Sequence, residues 1–276
     1  MLLNPYRFGA TSWSPLNLSG LSAWYISDYP GNTLTSGELA TIFDRSGRGN
    51  HMSNLGGSSA NRATMVASGL NGRTIWRSDS ASKRGAFNCA ATDGRSITTS
   101  VSGVTMFAVQ RMNPAQTVAA DASVIRFTTA GGTASRAMIG RGDTAVNAIY
   151  TGGRRTDSDS YAGAADTTDY SNNWAVIVGV IDYANANAYV SVNGTITANN
   201  PSFQIPSNSD TAVSQYFAVG HNGNGATHAF GDYAELGATR LALGLSDRQK
   251  LEGYLSWQWG LEGDLPGGHP YKLSPP

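Results

Sequence analysis

The chain has 276 residues with 19 Lys plus Arg against 19 Asp plus Glu, so its formal net charge is zero and no global field draws in nucleic acid or an anionic membrane. Charged residues are only 14% of the chain and hydrophobic ones 40%. The abundant Ser, Thr, Asn and Gly suit turns and exposed strand faces. Cys89 is the single cysteine, which excludes an intrachain disulfide framework and a cysteine-based zinc site.

Residues 1–19 read as an irregular arm broken by Pro5 and Pro15. Its opening, MLLNPYRFGATSW, has no uninterrupted apolar core, so a secretory leader is not expected. No later stretch is apolar for long enough to insert in a bilayer. Leu2, Leu3, Tyr6 and Phe8 form a small apolar set suited to anchoring the arm on a partner.

From residue 20 the pattern is that of short strands. LSAWYISD (21–28) opens it, and ELATIFDRSGRGNH (38–51) falls into a Gly-rich turn. GLNGRTIWRSD (69–79) holds Asn71-Gly72, a strong hairpin signal. VTMFAVQR (104–111), SVIRFTT (123–129), RAMIGR (136–141) and VNAIYTG (146–152) are rich in β-branched and aromatic residues. WAVIVGVID (174–182) is nearly continuous apolar and predicts a central strand buried on both faces. NAYVSVNGTITA (187–198) alternates around Asn193-Gly194, a second hairpin, and SQYFAVGH and AFGDYAELGATRLA supply the last strands. One helix closes the chain, predicted over 246–260. Ser246 is its expected N-cap, Gln249 completes a capping box and Gly260 stops it. Trp257 and Trp259 are two apart and must point in different directions, one to the sheet and one to the returning tail or another subunit. The fold class is all-β, a two-sheet antiparallel sandwich of jelly-roll type, as one domain over 20–276 with a C-terminal helix and an extended tail.

The segments LSAWYISD, FDRSGRGNHM, NGRTIWRSD and TMFAVQR resemble the laminin-G-like, concanavalin A-like jelly roll. The ending, GDYAELGATRLALGLSDRQKLEGYLSWQWGLEGDLPGGHPYK, is similar to that of a subgroup found in tailed-bacteriophage virion proteins and some large bacterial surface proteins. The resemblance covers roughly residues 20 to 273. It departs from the subgroup at Gln258, where Lys is common, and at Ile26-Ser27, where Asp-Ala is usual. It implies a domain whose usual work is binding glycans or proteins, carried on a virion surface as a head decoration, spike or tail-fibre component. The partners it implies are other virion proteins, further copies of this chain and a cell-surface polysaccharide. The alternatives are a free, lectin-like carbohydrate-binding module and, against the missing acid pair, a glycan-cleaving enzyme.

The residues themselves point to a contact surface more than to catalysis. Glycoside hydrolysis needs two carboxylates across a bond. Asp232 and Glu235, three apart on one strand, are expected on opposite faces. GRRTDSDSYAGAADTTDY (153–170) is the longest polar insertion between strong strands, where a rigid sandwich places its binding function. Within it Arg154, Arg155, Asp157, Asp159, Tyr161 and Tyr170 combine rings for sugar faces with groups that bond hydroxyls. His221 and Asn222 open a second candidate loop. No cofactor is required, and Asp28, Asp44 and Asn50 are the oxygen donors that a calcium ion would use if their turns converged.

Overall fold

The computed structural model describes residues 13–79, 83–89, 96–113, 122–128, 135–141, 148–212, 216–222 and 227–276. The proposed anchor residues Leu2, Leu3, Tyr6 and Phe8 lie outside them. The strands are β1 (Leu21–Ile26), β2 (Thr33–Thr35), β3 (Glu38–Ile42), β4 (Met52–Asn54), β5 (Ala63–Leu70), β6 (Arg73–Ser78), β7 (Phe87–Cys89), β8 (Gly103–Met112) and β9 (Ser123–Thr128). They continue as β10 (Ser135–Arg141), β11 (Ile149–Gly153), β12 (Ala162–Asp166), β13 (Trp174–Asp182), β14 (Asn187–Val192), β15 (Thr195–Asn200), β16 (Tyr216–Val219) and β17 (Gly231–Thr239). One helix, α1 (Leu245–Trp259), follows.

Asn-Gly pairs turn the hairpins. Asn71 and Gly72 have φ of 48° and 82°, and Asn193 and Gly194 have 48° and 81°. This is the type I′ pattern that matches strand twist, and it joins β5 to β6 and β14 to β15. The strands form two antiparallel layers. The first runs β15-β14-β13-β8-β17, and the far edge of β17 is shared by β1 and β6, with β5 beyond β6. The second runs β4-β7-β16-β9-β10-β11-β12. β3 pairs with β5 along its start and β4 along its end, so it joins the layers at one edge. Between the layers lies a core of Tyr25, Trp76, Met106, Phe127, Ile177, Phe217 and their neighbours. β13 sits between β8 and β14 and is buried along all but its ends, as its unbroken apolar run implies. The result is an antiparallel jelly-roll sandwich with a C-terminal helix.

The outer face of the first layer is apolar too, and α1 covers it. Leu251, Leu255 and Trp259 pack on Trp24, Val109, Val176 and Val178. Fully burying each such side chain contributes about 1.5–3 kcal/mol. The helix is capped two residues earlier than its capping signal suggests. Gly244 is the N-cap and Arg248 N–H already bonds the Gly244 carbonyl at 3.0 Å, so Ser246 lies inside the first turn. Gly260 ends the helix in the left-handed conformation, φ 67°. The two tryptophans divide as their spacing requires. Trp259 is fully buried against the sheet, and Trp257 donates its indole N–H to the Tyr271 carbonyl of the returning tail at 2.8 Å. Glycine lets that tail lie close, because a Cβ on Gly253 would stand 2.5 Å from Cβ of Tyr271.

β17 carries a bulge at Ala234, so Tyr233 pairs with Gln110 while Glu235 pairs with Val109. The extra residue reverses the alternation. Glu235 is thereby turned to the helix-covered face, the same face as Asp232, and not the opposite one expected from their spacing. There it is fully buried and accepts the indole N–H of Trp24 at 2.6 Å and of Trp259 at 2.7 Å. Burial pushes its carboxyl from 4.5 up to about 7, against the two indoles, which favour the anion. A carboxyl that holds its proton more tightly when folded contributes most below its unfolded pKa. That contribution is lost as pH rises from 4.5 through 7. Wild type should therefore lose about 3 kcal/mol relative to Glu235→Gln between pH 4.5 and 7.5 in urea titrations. A pH-independent difference would refute the assignment.

Candidate functional site

The last strands of the second layer set side chains on its outer face. In β11, Ile149 and Thr151 point to the core, so Tyr150 and Gly152 point out. In β12, Gly163 and Ala165 point out, and Gly152 lies directly opposite Gly163. The ring of Tyr150 lies across these two glycines. A Cβ at 152 would be 2.3 Å from the Tyr150 hydroxyl oxygen, and one at 163 would be 2.4 Å from it. Tyr161 stacks on Tyr150 with centroids 5.5 Å apart and planes 21° apart. Both tyrosines are partly exposed. Two paired glycines thus make room for a flat pair of rings laid on the sheet.

The segment from Arg154 to Tyr161 borders these rings and is cross-braced. Arg155 N–H bonds the side-chain oxygen of Gln204 at 2.5 Å, and the Gln204 amide donates back to the Ser160 carbonyl at 2.6 Å. Asp159 accepts the Thr156 N–H at 2.9 Å and lies 3.4 Å from the Arg155 guanidinium. Asp157 is half-exposed yet anchored, because the fully buried Arg136 of β10 holds it at 2.9 Å and Asp210 at 2.8 Å. Arg154 is half-buried in the same segment. Arg154, Arg155, Asp157, Asp159 and Tyr161 therefore lie together on one cross-braced segment between β11 and β12.

Other candidates stand elsewhere. The 153–170 insertion is not one loop, because β12 occupies Ala162–Asp166 within it. Tyr170 lies beyond that strand and packs on the core. Its hydroxyl donates to Asp166 at 2.7 Å, and burial with that carboxylate pushes it up to about 12. His221 is not a ligand contact: it is fully buried, with Nε2 2.5 Å from the Asn88 side-chain oxygen and 3.2 Å from the Phe87 carbonyl. Burial lowers it to about 4 and keeps it neutral. Asn222 donates its backbone N–H to the Thr227 carbonyl at 3.0 Å.

The calcium set does not converge either. The Asp44 carboxylate accepts N–H groups of Trp24, Ser46 and Asn50 and the Ser46 hydroxyl, at 2.8–3.0 Å. Asp28 is clamped by Arg73 through two bonds of 2.7 and 2.9 Å. Asn50 is buried and donates to the Ser22 carbonyl at 2.7 Å. Oxygens already filled by donors have no lone pairs facing a common centre for a cation. Among the described residues no group of three His, Cys, Asp or Glu side chains is placed to hold a metal. Tyr150 was missed by sequence reasoning. Its signal was the Gly152-Gly153 pair following it, which frees the outer face of β11 for a ring to lie down.

No family model and no curated protein sequence matches the chain. Solved structures do match, in fold alone. A structure of botulinum neurotoxin type C is 13% identical, with a TM-score of 0.56, covering 89% of this chain and 53% of its own. The serotype D ligand-binding domain is 7% identical, TM-score 0.56, covering 84% and 50%. Domain 4 of an extracellular GH43 arabinanase from Geobacillus stearothermophilus is 15% identical, TM-score 0.54, covering 84% of this chain and 98% of its own. This chain spans about half the length of the neurotoxin chains.

The glycine pair generates a test of the site itself. Gly163→Ala should lift the Tyr150 ring and strain the β11–β12 pairing, since the new Cβ would also stand 2.3 Å from the Thr151 carbonyl oxygen. Near-UV circular dichroism should lose tyrosine signal, and stability should fall by about 1–3 kcal/mol. Retention of both would show that the ring lies elsewhere.

Proposed function

We propose that this chain is a non-catalytic, glycan-binding jelly-roll domain displayed on the surface of a phage-like particle. The observation that carries the binding role is the flat Tyr150–Tyr161 pair beside the braced Arg154–Tyr161 loop. Aromatic faces suit the apolar faces of sugar rings, and the adjoining guanidinium and carboxylate groups suit their hydroxyls. Proteins of the same fold support this reading. Cell entry of neurotoxin type C depends on two ganglioside molecules, the serotype D domain was solved with N-acetylneuraminic acid, and the arabinanase domain with arabinotriose.

A binding role without hydrolysis follows from the carboxylates. Glu235 is sealed under α1, and both Asp232 oxygens are held by Arg77 and Arg111, so neither is set to act on a glycosidic bond. The particle role rests on the likeness of the terminal helix and tail to virion proteins. The arm residues Leu2, Leu3, Tyr6 and Phe8 would contact other virion proteins or sister copies. A free lectin-like module is the competing reading for the same fold.

Two measurements test these statements. On a glycan array the full chain should bind a defined subset of sugars, and Tyr161→Ala should weaken the best hit by about tenfold while the melting curve is kept. A blank array would remove the binding role. Mass spectrometry of purified particles from the source genome should find the chain at stoichiometric level, and its absence there would favour the free lectin.

A further inference from the structure

Resting on the glycan reading, the structure assigns a second saccharide site, for a neutral sugar with adjacent hydroxyls, to the opposite side of the sandwich. The strand register creates it. Across β6, β17, β8 and β13, Arg77 stands opposite Asp232, Asp232 opposite Arg111, and Arg111 opposite Trp174. These four form one row on the helix-bearing face, since Ile75, Val109 and Val176, two residues away along their strands, all pack on that face.

Asp232 is the hub of the row. Its Oδ1 accepts from Arg77 Nε at 2.6 Å. Its Oδ2 accepts from Arg77 Nη2 at 3.0 Å, Arg111 Nε at 3.1 Å and Arg111 Nη2. The carboxylate is 6% exposed, while the arginine side chains are 36% and 33% exposed. Each guanidinium is thus fixed along one edge and open to solvent elsewhere, with no protein partner for its Nη1 among the described residues. Trp174 flanks Arg111, whose Cζ is 5.5 Å from the ring centroid. Arg77, Asp232 and Arg111 open into a cleft of about 280 Å³, lined also by Ser78, Asp79, Asn113 and Asn172. Asn172 is pinned in the left-handed region, φ 65°, with its N–H on the Met112 carbonyl at 3.3 Å.

The lining selects the ligand class. Two guanidiniums are balanced by Asp79 and Asp232, so the formal charge of the cleft is zero. It offers donors through the two Arg side chains and Asn172 and acceptors through Asp79 and Asn172. A sugar hydroxyl donates one bond and accepts up to two, so it matches a mixed lining. A carboxylate or phosphate only accepts, and it would face Asp79. Trp174 stands beside Arg111 at the end of the row, next to the cleft and not in its lining, where its ring helps hold that guanidinium in place. The volume is near the lower end for small-ligand clefts, suited to a short saccharide. The Tyr150–Tyr161 pair lies on the outer face of the other layer, with the core between, so one short sugar does not reach both. The chain therefore has two valences.

Calorimetric titration of the full chain tests this with neutral arabinotriose, maltotriose and cellotriose, and with acidic sialyllactose. At least one neutral trisaccharide should fill two sites, and its binding should change little with salt. Arg111→Met should abolish one site, and Tyr161→Ala should weaken the other by about tenfold. Asn172→Gly, which keeps the backbone conformation and removes one amide, should weaken the Arg111-dependent site by roughly tenfold. Trp174 fluorescence should respond to the sugar in Tyr161→Ala but not in Arg111→Met. A single site that Arg111→Met and Asn172→Gly leave intact overturns the second valence and spares the glycan reading. Salt-sensitive binding of sialyllactose alone at the Arg111-dependent site overturns the neutral-sugar assignment. No binding of any sugar, here and on the array, overturns the glycan reading and this proposal with it.

Discussion

The Glu235 carboxylate, gripped by two indole N–H groups, is the contact on which the outer half of the molecule depends. Trp24 comes from β1, Trp259 from the end of α1, and Glu235 from β17 between them. Each indole also carries a guanidinium over its face, Arg45 at 4.3 Å from Trp24 and Arg73 at 3.9 Å from Trp259. A cation over the ring and an acceptor at the N–H edge both suit the indole charge distribution. Arg73 is itself held by Asp28 and by the Gln258 carbonyl, and Asn71 donates to the Trp259 carbonyl. The end of the helix is thereby tied to β1, to the β5–β6 turn and to the last strand at once. The bulge at Ala234 is what makes this geometry available, because it turns Glu235 toward the helix.

The same economy of charge recurs. Few residues are charged, and several that are buried serve as braces. On α1, Arg248 bonds Glu252 at 2.6 Å and Ser191 at 3.1 Å, while His269 of the tail approaches the other Glu252 oxygen at 3.4 Å. On the opposite layer Arg136 ties Asp157 and Asp210 to β10. Removing one partner of such a buried set strands the other, which costs far more than the pair itself contributes. These networks position loops and tail more than they add stability. A stiff loop beside a flat pair of rings loses little entropy on meeting a rigid sugar, which is the physical basis for reading that surface as a contact site.

The tail and the rings illustrate two uses of aromatic residues. Trp259 is sealed inside the clamp and Trp257 is committed to the returning chain, so the tryptophans that dominate the sequence ending fasten the fold. Tyr150, Tyr161 and Trp174, three of the partly exposed rings, lie far from that motif in sequence. Each is set by a local feature of its strand: two glycines under Tyr150, the loop brace beside Tyr161, and the cross-strand guanidinium beside Trp174.

The sandwich, its hairpins and the closing helix were legible in the sequence because they rest on local physics. Alternation, β-branched runs, Asn-Gly pairs and a terminal glycine act over a few residues, and so does the two-residue offset that parted Trp257 from Trp259. The loop around Arg154–Tyr161 was legible for the same reason, as a polar break between strong strands. What the sequence could not carry was pairing across distance. Asp232 meets Arg77 and Arg111 only through the register of β6, β17 and β8, from positions 155 and 121 residues apart. The burial of His221 against Phe87 and Asn88 and the one-residue bulge that moves Glu235 to the helix face likewise depend on neighbours from remote strands. Local pattern determined which elements form, and tertiary register alone decided which side chains share a face, because a shift of one residue reverses every side chain beyond it.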